Sequence, residues 1–187
     1  MGGDDEMHST KWDSTRAALK SQYHASLAML RNGVEQCPED LWDSTGLTNE
    51  FWQIAYHALF FTHLYLQPRL EDFIPWPGHQ GDVQHEDGIA GPPYPDTNLP
   101  LIPDPYSRDE VLTYCDYCIR LVDDAVDLLD LDSSESGFHW YSVPKLEHQL
   151  VNLRHLAHHT AQLADRLRNA GAPSLKWVRD GAAAGRG

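Results

Sequence analysis

The segment FWQIAYHALFFTHLYL, residues 51–66, sets the architecture of this chain. Its apolar side chains lie nearly all round a helical wheel, which predicts a helix buried on every side. Thr48, Asn49 and Glu50 precede the segment and Pro68 follows it, so a helix start signal and a stop signal frame it. It is shorter than the roughly 20 apolar residues that a membrane span needs. We therefore expect the most buried helix of a globular protein.

Three further helical patterns flank this segment in the sequence. Ser107 followed three residues later by Glu110 predicts a capping box at the start of one of them. Pro144 is a favoured first-turn residue, and Gly171 is a typical stop signal. The three patterns run over about residues 9–34, 107–128 and 144–170. Strand-like alternation is limited to the short FHWYSV stretch at 138–143, so the chain is predicted to be all-α.

Residues 71–106 separate the second and third helical patterns and show no sustained period of 2 or 3.6. A loop of this length is typical of a lid or binding segment, or of disorder, and both alternatives stay open. Trp76 and Tyr94 favour partial docking. We predict one domain, a four-helix bundle whose long crossover loop joins helices 2 and 3, with residues 180–187 as a flexible tail.

Composition excludes several classes of partner. The formal net charge is −14 and the chain has no basic patch, so we expect no binding to nucleic acid or to an acidic membrane. The first residues lack the pattern of a secretory signal, which favours a cytoplasmic location. Cys37, Cys115 and Cys118 are too few for a disulfide scaffold, and we interpret them as packing residues.

Histidines carry the main functional signal of the sequence. His155 and His159 in RHLAHHTAQL, residues 154–163, are four apart and project from one side of a helix, where they could share an ion. His57 falls on the same helical face as Ile54 and Phe61 and should point inward. Taken alone, such a histidine is more often a hydrogen-bonded core residue than a ligand.

Alternative ligands remain in this set of 11 histidines, namely His63, His148 and His158. His148 lies seven residues before His155 and could hydrogen-bond to it. Leu156 stands where a zinc protease motif would carry Glu, so protease chemistry of that kind is not supported. Three neutral imidazoles would leave a coordination position open on a divalent ion, as in a catalytic site. Water or a thiol held there would be deprotonated near neutral pH.

The stretches at 22–42, 51–66 and 154–171, with Trp177 and Val178, resemble the DinB-like superfamily, which includes bacillithiol transferases and mycothiol-dependent maleylpyruvate isomerases. The resemblance implies a four-helix bundle, commonly a homodimer, with a three-histidine site for zinc or nickel. The family's ligand positions match His57, His155 and His159, and a glutamine that follows them matches Gln162.

The reaction is left open by this resemblance, because one fold hosts different chemistries. The transferase members imply a metal-dependent thiol S-transferase or hydrolase acting on a small molecule, with a low-molecular-weight thiol as the activated group. A non-catalytic metal-stabilised or stress-related binding protein is the alternative. A family member that binds no metal is the third possibility.

Overall fold

The computed structural model of the chain is all-helical, as the sequence predicts. It describes residues 3–44, 46, 49–80 and 104–184, and no β-strand occurs within those ranges. The FHWYSV stretch forms turns. Four long helices are α1 (Gly3–Gln36), α3 (Phe51–Tyr65), α4 (Arg108–Leu128) and α5 (Lys145–Asn169). Short helical turns are α2 (Glu39–Trp42), a 3-10 turn (Leu70–Asp72) and α6 (Gly181–Ala184).

Helix α3 is the centre of the core. Thirteen of its 15 residues are buried, which confirms the prediction from its all-round apolar pattern. Gln53 and His57 are the two that remain partly exposed. Glu50 caps the helix, because its carboxylate accepts from the Gln53 backbone while the Gln53 side chain accepts from the Glu50 N–H at 2.7 Å. His57 is therefore a partly exposed imidazole on an otherwise almost fully buried helix.

Each of the four long helices packs mainly against two of the others. Helix α3 contacts α4 and α5, and α1 contacts the same two helices from the other side. The rim between α1 and α4 carries ion pairs: Lys20 donates to Asp127 at 2.7 Å and Arg31 donates to Asp116 at 2.9 Å. These pairs are partly exposed, so each adds little stability.

Helix ends agree well with the sequence signals. Ser107 caps α4 and forms the predicted capping box with Glu110. Helix α5 ends at Asn169, where Gly171 adopts the left-handed backbone (φ +75°) that favours glycine. Pro144 differs slightly from the expectation, because it lies at the N-cap of α5 and not inside its first turn.

The connection between α4 and α5 closes over the start of α5. Gly137 has φ +86°, and a Cβ atom there would lie 2.3 Å from the carbonyl oxygen of Pro68. Only glycine fits so close an approach. Buried Lys145 donates to the Pro68 and Ser136 carbonyls, so this connection is fastened to the end of α3.

Most of the predicted crossover loop, residues 81–103 with Tyr94, lies outside the described residues. Its two ends are docked on α3 and α4. Trp76 is buried and stacks on Tyr114 with ring centroids 4.8 Å apart, which confirms its predicted docking. The Tyr106 hydroxyl donates to the Gly78 carbonyl at 2.8 Å, so the loop starts and ends at one place.

The C-terminal segment differs in part from the flexible tail that the sequence suggests. Gly181–Ala184 form one helical turn that contacts α1, and the Gly181 N–H donates to the Ser21 hydroxyl at 2.9 Å. Small residues permit this approach, since a Cβ on Gly181 would come within 3.1 Å of the Ser21 backbone. Across the described residues, the length and apolarity of every helix fall below what a membrane crossing requires.

Candidate metal centre

Helices α3 and α5 bring three histidines together. His57 lies in the middle of α3, and His155 and His159 lie one turn apart on α5. The two helices pack side by side, so a ligand from one meets a pair from the other. The side-chain nitrogens of the three residues lie within 4.8 Å of one another, a spacing that could hold a metal ion.

The Nε2 atoms converge on a common point. His155 Nε2 lies 3.0 Å from His57 Nε2 and 3.1 Å from His159 Nε2. Ligands at about 2.0–2.1 Å from a tetrahedral zinc ion are about 3.3 Å apart, so the observed spacing is close to that of a zinc-bound set. Two of the three ligand pairs therefore already have about the spacing that a small divalent ion requires.

Gln162 orients one of the rings. The Nδ1–H of His159 donates to the Gln162 side-chain oxygen at 2.7 Å. A neutral imidazole has one N–H, so this bond leaves the Nε2 lone pair of His159 directed into the cluster. The structure thus brings together Gln162 and His159 as the sequence suggests.

Burial keeps the imidazoles neutral. Desolvation, followed by repulsion from His159 and His158, lowers the pKa of His155 to about 3. Desolvation also lowers the pKa of His159 to about 4, although the bond to Gln162 opposes the shift. Neutral imidazole is the form that binds a metal, so the site is ready for an ion at neutral pH.

Three neutral imidazole nitrogens are a suitable set of ligands for a divalent metal ion. Lone pairs that face each other at about 3 Å repel unless a proton or a cation lies between them, and one N–H cannot serve three nitrogens at once. A cation satisfies all three. Neutral nitrogen ligands suit zinc and nickel better than magnesium or calcium, which prefer oxygen.

Phe61 covers one side of the cluster. Its ring centroid lies 4.8 Å from that of His57 and 5.6 Å from that of His155. His159 is 6% exposed, whereas His57 and His155 are partly exposed. The cluster consequently has an apolar wall on one side and access to solvent on another.

The remaining candidate histidines lie elsewhere. His63 is buried against α4, with its Nδ1 atom 3.1 Å from the Tyr114 hydroxyl. His148 is buried among the rings of Tyr65, Phe138 and Tyr141 at the other end of α5. His158 is exposed and touches the site only through the ring of His159, at 5.1 Å.

His148 also differs from the role that the sequence suggests. Its two ring nitrogens are buried and have no hydrogen-bond partner among the described residues, His155 included. The seven-residue spacing correctly places both residues on one face of α5. Side chains two turns apart are nevertheless too distant for a direct bond.

One residue near the cluster escapes sequence reasoning. Asn152 is fully buried, and its side chain donates to the Thr62 carbonyl of α3 at 3.2 Å. It lies three residues before His155, on the same helical face. That spacing is visible in the sequence, but its burial depends on the packing of α5 against α3.

The cysteines are packing residues in the structure. All three are buried and unpaired. Burial raises the pKa of the Cys37 thiol to about 12 and raises those of Cys115 and Cys118 further. Thiols of this kind are neutral at pH 7 and unreactive.

An apolar groove of about 280 Å³ lies between α1, α5 and the C-terminal segment. Its α5 wall includes Ala157, Ala161 and Ala164. These residues lie on the opposite side of α5 from His155 and His159 on a helical wheel. The groove is therefore separate from the histidine cluster.

Comparisons with known proteins add no assignment. No protein family model, curated protein or solved structure matches this chain.

Proposed function

We propose that the chain binds a divalent metal ion, zinc or nickel, at His57, His155 and His159. The observation that carries the proposal is the convergence of three Nε2 atoms from two helices at 3.0 and 3.1 Å. Two features support it further: the Gln162 bond that orients His159, and the burial that keeps the imidazoles neutral.

The site supports a metal-dependent enzyme acting on a small molecule, of the thiol S-transferase or hydrolase type. Three protein ligands leave a coordination position for a reacting group, and the partial exposure of His57 and His155 gives that group access. A divalent ion would lower the pKa of a bound thiol or water and so supply a nucleophile at neutral pH. A low-molecular-weight thiol is the substrate class that the family resemblance favours.

A non-catalytic role is the second candidate, and one observation favours it. The ligands come from α3 and α5, two helices far apart in the sequence, so an ion would tie them together. In that case the metal acts as a structural fastener of a binding or stress-related protein.

The surrounding architecture is consistent with a DinB-like assignment. The contacts among α1, α3, α4 and α5 support a four-helix bundle. The assignment of residues 71–106 as its crossover rests on the family resemblance and the order of the helices. We extend the proposal to a cytoplasmic protein and a homodimer on the same resemblance. The net charge of −14 argues against nucleic acid as a partner.

Elemental analysis of the tag-free protein tests the metal site directly. We expect near-stoichiometric zinc or nickel in the parent protein and loss of that metal in His57→Ala and in His159→Ala. His158→Ala is the matched control, because this exposed neighbour should leave the metal content unchanged. A parent protein that stays metal-free after incubation with both ions would refute the site.

A second experiment separates the enzyme from the fastener. The metal-loaded protein is offered a panel of low-molecular-weight thiols with a chromogenic electrophile, and conjugation is followed by absorbance. Turnover that disappears in His159→Ala supports the transferase. Metal that raises the melting temperature without binding any thiol or hydrolysing any ester supports the fastener.

A further inference from the structure

Two buried polar atoms next to the histidine cluster have no partner among the described residues. They are Nδ1 of His155 and the side-chain oxygen of Asn152. Buried polar groups in folded proteins are almost always hydrogen-bonded, because an unpaired one costs free energy. An unpaired nitrogen and an unpaired oxygen, three residues apart on the same helix, call for an explanation.

The two residues lie three positions apart on one face of α5. Helical side chains lean toward the N-terminus, so the ring of His155 leans over the turn that carries Asn152. The amide nitrogen of Asn152 is already fixed, because it donates to the Thr62 carbonyl at 3.2 Å. That bond anchors the carboxamide and leaves its oxygen as the free end.

His159 provides the precedent within the same helix. Its Nδ1–H donates to Gln162, three residues further along, and this bond directs Nε2 into the cluster. The second ring nitrogen of a metal-binding histidine generally donates its N–H to an oxygen in this way, which fixes the ring and its tautomer. His155 needs a similar acceptor for its Nδ1–H. Asn152 lies three residues before it on the same helix.

We propose that Asn152 is a positioning residue for His155, accepting the His155 Nδ1–H at its side-chain oxygen directly or through one water. The inference rests on the proposed metal site and assigns the acceptor that the site requires. In this arrangement side-chain amides of α5 hold both of its proposed metal ligands, Asn152 before the pair and Gln162 after it.

His148 is the competing acceptor, because its nitrogens are also buried without partners. Its ring lies in an aromatic cluster, 4.7 Å from the ring of Tyr65 and 4.9 Å from that of Phe138. It is also one turn further from His155 than Asn152 is. Along α5, Asn152 therefore lies between the two histidines and is the nearer candidate partner of His155.

Zinc affinity of three variants tests the proposal, measured by competition with a chromophoric chelator. We expect Asn152→Leu to bind zinc 10- to 100-fold more weakly than the parent protein, since this is the usual effect of losing such an acceptor. Asn152→Asp keeps an acceptor and should bind within a few-fold of the parent. His148→Phe removes buried nitrogens from the same face and should leave the affinity unchanged.

Absorption spectra of the cobalt-loaded proteins distinguish positioning from general destabilisation. Loss of an orienting bond should change the visible bands of Asn152→Leu and not those of Asn152→Asp, while the melting temperatures of the metal-free proteins stay close. An affinity and a spectrum of Asn152→Leu equal to those of the parent would overturn the proposal. A parent protein that binds no zinc would instead refute the metal site itself.

Imidazole NMR of the zinc-loaded parent protein provides a readout without any substitution. We expect His155 as the Nδ1–H form, with a slowly exchanging proton that shows contacts to the Asn152 side chain or to one bound water. A rapidly exchanging proton, or a bond to another acceptor, would contradict the assignment even if Asn152→Leu fails to fold.

Discussion

His63 and His159 are both buried histidines of the same core, yet only His159 has a ligand's surroundings. His63 meets the Tyr114 hydroxyl, whereas His159 meets the imidazoles of His155 and His57 and the amide of Gln162. We therefore expect protonation of His63 to affect folding stability and not metal binding. Its effect on stability tests how α3 and α4 pack around this residue.

Folding stability should fall in acid because of His63. Burial, followed by repulsion from His79, lowers its pKa from 6.5 to about 4. Below pH 6.5 the unfolded chain binds a proton that the folded chain refuses until about pH 4, so the free energy of unfolding decreases as the pH falls through this window. The contribution of His63 at pH 5 should be about 2 kcal/mol smaller than at pH 7.

Urea unfolding of the metal-free protein at pH 7 and pH 5 measures this contribution. His63→Gln keeps an acceptor for Tyr114 but cannot titrate, so its loss of stability between the two pH values should be smaller than the parent's. Other buried histidines titrate in both proteins and cancel in the comparison. Equal losses in parent and variant would show that His63 is not held neutral by the fold.

At the level of single elements, α4 depends on the capping box at its start. The Ser107 hydroxyl accepts from the Glu110 N–H at 3.3 Å, and the Glu110 carboxylate accepts from the Ser107 N–H at 2.8 Å. Ser107→Ala should lower the free energy of unfolding by about 1 kcal/mol, the usual effect of removing such a cap.

Denaturant titration checks this effect against Thr113→Ala. Thr113 is an exposed residue of the same helix whose hydroxyl donates to the Asp109 carbonyl, so its loss should change stability by less than about 0.5 kcal/mol. If both variants lose the same amount, the cap does not stabilise α4.

The positions of the helices were predictable from the sequence where interactions between nearby residues determine them. The capping box, the stop at Gly171 and the apolar pattern of α3 all act within a few residues, so the sequence alone locates α3, α4 and α5. Leu128 shows the limit: the α4 periodicity places it inward, but it is 72% exposed and Leu129 is buried in its place. The helix ends there, so the helical wheel no longer applies.

The residues of the candidate metal site were predictable only in part, because some of their features are local to one helix and others depend on how two helices pack. The spacing of His155 and His159 is a property of one helix, and His57 was nominated by its inward face. Their meeting, and the separation of His63 and His148 from them, depends on which faces of α3 and α5 touch. Asn152 was missed because its burial follows from that same contact between distant segments.

For the whole molecule, metal binding should act as a long-range crosslink between α3 and α5. An ion that binds only the folded chain stabilises it by about 2.7 kcal/mol at 100 times its dissociation constant. For a chain of this size we expect a rise of about 5 to 11 °C in melting temperature.

Differential scanning calorimetry with and without zinc measures the rise, with His57→Ala as the control. The variant should show no rise, because two ligands on one helix cannot join it to another. An equal rise in His57→Ala would place the stabilising ion elsewhere in the molecule.

The wide separation of the ligands along the chain also orders events during synthesis. His57 and His155 are 98 positions apart. At about 5–20 residues per second, the ribosome needs about 5 to 20 s to pass from one to the other. Throughout that interval α3 exists without the pair that completes its cluster. A metal ion bound by all three histidines therefore cannot assist any folding that precedes the synthesis of α5, and α5 brings the ligand pair together with its own core residues Leu156, Leu163 and Leu167.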